Sequence, residues 1–343
     1  LLFLTSLAQN NSVFEPKNYI AYQTIDTILI DGLATEKSWS KVDWSGDFID
    51  IEGVKKPKFN TKVKMLWNDD YLFVFVLLEE PHIWASIKKR DEVIFHNNDF
   101  EIFIDPDGDT HNYYEIEMNA YNVIWDLFLT KPYREGTTIL NDWTATDMKS
   151  AVNINGTLNN ASDIDKGWAI EMAIPWSVFK KSYYKKNIPK DKFWRINFSR
   201  VNWDFELVDN KYRRKKDKNG KLLHEYNWVW SPMGVVNMHE PEKWGYVYFS
   251  SKYAGEMDTF EISNDEKIKW NLYELHRKLK KYYKKNKSFA TSLDLIGSNK
   301  FSVEGVLMKP SLENHSQGYN LSVKSPFTNK LLSVREDGKF EAK

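Results

Sequence analysis

The sequence predicts an all-β protein, an antiparallel β-sandwich with a C-terminal helix-plus-small-sheet appendage. Three observations lead there. Short segments that alternate apolar and polar residues recur between turn residues from Tyr19 to about Ser250. Almost no helical periodicity separates them, which favours hairpins over crossover connections. After Ser250 the pattern switches to a three-four apolar spacing and then to further short strands.

In order along the chain, "TILIDG" reads as a strand ending in an Asp-Gly turn, and "ATEKSW" as a short helix or turn. "TKVKMLWNDDYLFVFVLLEE" is a hairpin about Asn68-Asp69-Asp70. "DFEIFIDPDGDTHNYYEIEMN" repeats the pattern and "NVIWDLFLT" continues it. "GWAIEMAIPWSVF" is a strand that Pro175 ends or places at an edge. "FWRINFSRVNW" and "KWGYVYFS" supply two more. Ile268, Leu272, Leu275, Leu279 and Tyr282 mark one helix face, and Ser263 with Glu266 resembles a capping box at its start. The Lys-rich opposite face reads as solvated. The segments after it, with an Asp-Gly turn, complete a small sheet. The expected divisions are a signal-peptide remnant at 1–8, the sandwich at 19–250 and the appendage at 260–343.

Composition narrows the function. The 343 residues carry no formal net charge, so no global basic field draws the chain to nucleic acid or to a membrane surface. There is no cysteine, hence no disulfide, thiolate metal site or Cys-linked lipid. Aromatic residues make up 15%, including 14 Trp and 18 Tyr, a high share; most of these rings are expected in a thick aromatic β-core, and surplus ones often line binding surfaces. The start "LLFLTSLAQNNS" reads as the end of a secretory signal, with Ser6 and Ala8 at the positions a peptidase inspects, and implies export, periplasmic or secreted. No later stretch has the apolar length of a membrane span.

The stretch "NNDFEIFIDPDGDTHNYYEIEMNA" carries the candidate chemistry. Asp105, Asp107 and Asp109 alternate around Gly108 like a hard-cation loop, but Gly is fourth rather than sixth and Ile116 stands where a closing Glu is required. A bare turn is the favoured reading and structural calcium the lesser one; no cofactor is required. Glu115 and Glu117 share a strand face roughly 7 Å apart, a spacing a glycosidase pair can use. Nothing in the sequence splits their acidities as acid-base catalysis requires. The histidines are scattered without ligand spacing. The third reading is a polar bed for a sugar: Glu101, Glu115, Glu117 and Asn119 bond hydroxyls, and Phe95, Trp125, Trp203 and Trp228 are candidates to stack on the ring.

"ILIDGLATEKSWSKV", "VKMLWNDDYLFVFVLLEEP", "NNDFEIFIDPDGD", "YYEIEMN", "GWAIEMAIPW" and "NMHEPEKWGYVYF" occur in an order that resembles the family 9 carbohydrate-binding modules. More closely, they look like the family-9-like proteins of Bacteroidetes polysaccharide-degrading systems. The resemblance covers about residues 19–250. It implies a two-sheet sandwich that binds the terminal sugar of a glycan without catalysis. It implies Glu101, Glu117 and Asn119 as polar ligands, with Asn237 beside the second of two stacking positions. Those positions, tryptophans in typical modules, fall on Phe95 and near Met238, and Trp244 is too far along to substitute. Glu117 replaces a residue that usually carries positive charge, which implies a different ligand. Trp203, Arg200 and His239 are further candidates. The runner-up is a carbohydrate-active enzyme of unrecognised mechanism. The third reading, from related sandwiches, is a haem protein using Met238-His239 with Met65 or His96.

Overall fold

The computed structural model describes residues 15–181 and 188–343. The signal-peptide segment expected at 1–8 lies outside them. The chain divides into two compact units, one of residues Pro16–Glu261 with Asp337–Phe340, the other containing Ile262–Glu336 and Glu341–Lys343. The division thus differs from the expected one in giving the short Asp337–Phe340 segment to the first unit, where Gly338 O accepts from Thr110 Oγ1 at 2.9 Å.

The first unit contains β1 (Asn18–Gln23), α1 (Lys37–Ser40), β2 (Ile49–Asp50), β3 (Thr61–Trp67), β4 (Tyr71–Glu79), β5 (Asp99–Asp105), β6 (Tyr113–Asn119), β7 (Ile124–Leu129) and β8 (Ile139–Leu140). It continues with β9 (Lys149–Asn155), β10 (Gly167–Pro175), β11 (Lys192–Asn202), β12 (Phe205–Val208), β13 (Lys211–Arg214), β14 (Tyr226–Val229) and β15 (Gly245–Tyr253). Most of them join a 13-stranded sheet of order β8-β7-β6-β5-β11-β15-β1-β3-β4-β10-β9, with β14 and β2 attached beside β11. The sheet folds on itself as a sandwich. Its core brings Val63, Met65 and Trp67 of β3 and Val74 and Val76 of β4 against Ile102 and Ile104 of β5 and Ile116 and Met118 of β6.

Pairing is antiparallel except at β1, which runs parallel to both β15 and β3 and so links the two halves. Trp67 fixes that junction: its Nε1 donates to the carbonyls of Ala21 and Ser250, each at 3.0 Å. The hairpin about Asn68 forms as expected, Asn68 Oδ1 accepting from the amides of Asp70 and Tyr71. "ATEKSW" contains α1, whose Trp39 is buried with Phe73 and Phe75 on the outer face of the sheet. "TILI" is not a paired strand. Its turn at Gly32 has φ +83, and a Cβ there would meet Asn153 N at 2.9 Å, so only glycine fits. Pro175 ends β10.

The second unit holds α2 (Asn264–Asn286), β16 (Phe301–Val303), β17 (Val306–Met308), β18 (Ser311–His315), β19 (Gly318–Lys324), β20 (Leu331–Arg335) and all but the first residue of β21 (Phe340–Ala342). Ser263 caps α2 by accepting from Glu266 N at 3.4 Å. Ile268, Leu272, Leu275 and Leu279 are buried, as their spacing requires. His276, on the same stripe, is fully buried with its Nδ1 2.9 Å from Tyr319 Oη on β19.

Candidate functional site

Register makes the site. β5 and β6 pair with Glu101 opposite Glu117, Phe103 opposite Glu115 and Asp99 opposite Asn119. Since strand side chains alternate, these residues share the face opposite Phe100, Ile102, Ile116 and Met118, which fill the core. β7 extends that face with Trp125 opposite Glu117 and Leu127 opposite Glu115. On the other side β11 places Ser199 opposite Glu101, and β14 places Asn227 opposite Val201.

A cleft of about 240 Å³ opens on this face. Glu101, Glu115 and Glu117 form its floor, joined by Glu225 and Asn227; Phe95, Trp125, Tyr133, Met238 and His239 are among its walls. Phe95 and Trp125 stack on each other, centroids 6.5 Å apart at 25°. Tyr133 lies edge-on to His239 with centroids 4.1 Å apart. No lysine or arginine is among the described residues that line the cleft. A larger cleft of about 410 Å³, around Gly32, Phe75, Leu77 and Trp168, has no such convergence of carboxyl groups.

The electrostatics are one-sided. Burial pushes the Glu101 carboxyl up to about 7, with Glu225 adding to the shift and a Ser199 hydrogen bond opposing it. Burial raises Glu115 and Glu117 well above the carboxylate range, and their acidic neighbours raise them further. Asp99, behind the row, is raised in the same way. Oxygens of Asp99, Glu101 and Glu117 lie within 4.8 Å of one another. Glu117 Oε2 accepts from Phe95 N at 3.0 Å, and Asp99 Oδ1 from Val201 N at 3.3 Å. Glu115 Oε2 and Asp99 Oδ2 are buried and accept no hydrogen bond from the described residues. Burial lowers the His239 imidazole to about 3, leaving it neutral; its Nδ1 is 2.9 Å from Tyr113 Oη and its Nε2 4.0 Å from Glu115 Oε2.

Of the residues expected from sequence, Phe95, Glu101, Glu115, Glu117, Asn237, Met238 and His239 meet at this cleft. Met238 is only 7% exposed; it packs with Phe103, Tyr113, Leu127 and Trp244, and its carbonyl accepts from Trp244 Nε1 at 2.8 Å. It is a wall, not an open stacking platform. Four expected residues stand elsewhere, the first being Trp228, which is buried in the sandwich core. Asn119 is fully buried and spends its amide on the turn after β6, accepting from Tyr121 N and Val123 N and donating to Ile87 O. Arg200 points to the other face of β11, donating to Glu80 at 2.6 Å and to Thr61 Oγ1 at 3.0 Å, its guanidinium 5.1 Å from the Trp228 ring. Trp203 acts from behind: its Nε1 donates to Phe95 O at 2.8 Å and so sets the position of that ring. Met65 is in the sandwich core and His96 is outside the cleft lining, so the residues imagined for haem do not converge.

The Asp105–Asp109 turn satisfies itself. Asp105 accepts from Gly108 N and Thr110 N, Asp109 from His111 N, and Lys339 Nζ sits 3.1 Å from Asp109 Oδ2. Lys339 thus supplies a positive charge beside Asp109, while oxygens of Asp105, Asp107 and Asp109 lie within 4.8 Å of one another. The residues that sequence reasoning missed are Tyr133, Glu225 and Asn227. All three depend on how β14 and the segment after β7 come back to the β5–β6 face. Trp125, a stacking candidate from its ring alone, is placed in the cleft by the hairpin register.

The chain is 22% identical over 251 residues to exoglucanase XynX of Acetivibrio thermocellus, covering 73% of this chain and 19% of that protein. It is 21% identical over 207 residues to endo-1,4-beta-xylanase A of Thermoanaerobacterium saccharolyticum, covering 60% and 14% respectively. It therefore spans less than a fifth of either relative. Its fold matches a Bacteroides uniformis protein assigned as carbohydrate-binding, with a TM-score of 0.50 and 16% identity over 68% of this chain and 100% of that one. A family 9 carbohydrate-binding module from Caldicellulosiruptor kristjanssonii, in complex with cellotriose, aligns with a TM-score of 0.41 and 15% identity over 71% of this chain and 100% of that one. The sequence model described as "Carbohydrate family 9 binding domain-like" matches residues 30–250, most of the chain, and the protein belongs to that family.

Proposed function

We propose that this chain is an exported, non-catalytic glycan-binding protein that holds a sugar, a terminal residue of its glycan, in the β5–β6 cleft during polysaccharide utilisation. One observation carries the reading: a row of carboxylic side chains lies on the cleft floor beside the partly exposed rings of Phe95 and Trp125. Hydroxyls need donors and acceptors on one side, and the apolar face of a pyranose needs a ring on the other. Family membership over residues 30–250 supports the same ligand class.

Binding is favoured over glycoside hydrolysis by the direction of the acidities. Burial raises Glu101, Glu115 and Glu117 together. A hydrolase needs two carboxyls pushed apart, one protonated and one ionised. The test is a glycan array spanning neutral and amino-bearing sugars, followed by affinity gels. Wild type should be retained by at least one glycan, and Trp125→Ala should weaken retention at least tenfold, the loss expected of a central aromatic anchor. Equal retention by Trp125→Ala would overturn the assignment of this cleft.

A further inference from the structure

Two carboxylates directly opposite on neighbouring strands repel, and burial multiplies the cost. Glu101 faces Glu117 in this way at 6% and 2% exposure, and Glu115 is 4% exposed beside them. Burial already drives such a cluster to take up protons; beyond that, three arrangements could relieve it and let a carboxylate ionise: internal cations, hydrogen bonds that use every oxygen, or a ligand that brings positive charge. The first is absent among the described lining residues. Arg134, next to Tyr133 in sequence, is held by Glu135 at 3.2 Å and Glu242 at 2.9 Å. The second is incomplete, because Glu115 lines the cleft with a buried oxygen, Oε2, that accepts no hydrogen bond from the described residues. His239 Nε2 is 4.0 Å from it, beyond hydrogen-bond reach, on a ring that burial keeps neutral.

The walls choose between kinds of cation. A calcium ion asks for six to eight oxygens with little else around it. Here Glu117 Oε2 is already spent on Phe95 N, and Phe95, Phe103, Trp125, Leu127 and Val201 make much of the remaining surface apolar or aromatic. Carboxylates set among aromatic faces suit an organic cation, which gains from both.

We propose that the cleft selects a glycan carrying a free, protonated amino group, with the ammonium seated among Glu101, Glu115 and Glu117 and the sugar ring against Phe95 and Trp125. This rests on the glycan-binding reading of the same cleft and specifies its ligand. An ammonium supplies up to three N–H donors, one of them for Glu115 Oε2, and its charge pairs with the carboxylate that it draws into ionisation. An N-acetylated or neutral sugar offers no such charge.

The experiment is calorimetric titration of the full chain with glucosamine, galactosamine, N-acetylglucosamine, glucose, cyclohexylamine and calcium chloride, each alone, in two buffers of different ionisation enthalpy. At least one amino sugar should bind tenfold or more tightly than both neutral sugars. Binding should release about one proton at pH 7, because the ammonium favours an ionised partner in a cluster that is otherwise largely protonated. Glu115→Gln, which keeps the shape, should abolish the tenfold preference without lowering the melting temperature. Neutral sugars that bind as well as amino sugars would overturn the inference and leave the glycan reading standing. Cyclohexylamine matching the best amino sugar would overturn the sugar half, and calcium binding in the cleft, lost in Glu115→Gln, would overturn the amine. Failure of all the sugars would overturn both readings.

Discussion

At the scale of residues, the cleft stores a cost in the ligand-free protein that should be visible in its stability. Burial raises Glu101 from 4.5 to about 7. The protonated form is therefore favoured by folding. Its contribution is fully present below pH 4.5 and is lost as pH rises through about 7. Glu101→Gln removes the titration but keeps the volume. Its melting temperature should gain on wild type by about 3 °C or more between pH 5 and pH 8. A constant difference across that range would mean that Glu101 does not titrate within it. The alternation of "DFEIFID" and "YYEIEMN" makes the acid row legible from sequence alone, because a period of two leaves no choice of face. It does not separate Glu117 from Asn119. Both lie on that face, yet Asn119 opens a tight turn and accepts from the amides of Tyr121 and Val123. An Asn so placed usually serves the turn, and that is the signal the sequence carries.

At the scale of elements, hairpins are readable and long-range pairings are not. The β3–β4 and β5–β6 pairs follow from local turn chemistry, and the β5–β6 pair brings Glu101 to Glu117. The pairing of β1 with β15 joins segments more than two hundred residues apart and leaves no local signature. β14 likewise reaches β11 through an excursion containing β12 and β13, and delivers Asn227 to the cleft. Residue type alone points Arg200 and Trp203 to the site. Strand parity separates Arg200 from it: on β11 Ser199 and Val201 face the cleft side, so Arg200 must face away. Trp203 lies just beyond the strand, in a cluster with Trp84 and Val201 against which Phe95 packs, and donates to the Phe95 carbonyl from outside the cleft lining. The helix is legible from both spacing and cap. Ser263→Ala removes the side chain that accepts from Glu266 N and should cost about 1 kcal/mol of the second unit's stability, read by denaturant unfolding followed at helical ellipticity. No loss would show that the first turn of α2 is held by packing alone.

At the scale of the whole molecule, a sandwich gives two kinds of surface to one strand pair. One face of β5–β6 is core, with Phe100, Ile102, Ile116 and Met118. This rigid layer is what allows like charges to be held in register on the other face. The rings that accompany them are fixed from outside the pair: Trp203 holds Phe95 by its carbonyl, and β7 carries Trp125. Among the described residues no helix is long and apolar enough to cross a membrane. The most direct measurement is a crystal structure of the chain with a glycan that it retains. The sugar ring should lie against Phe95 or Trp125, with a polar substituent within hydrogen-bond distance of Glu115 or Glu117. A glycan bound instead in the cleft around Gly32, Phe75 and Trp168, with the β5–β6 face open to solvent, would contradict the assignment.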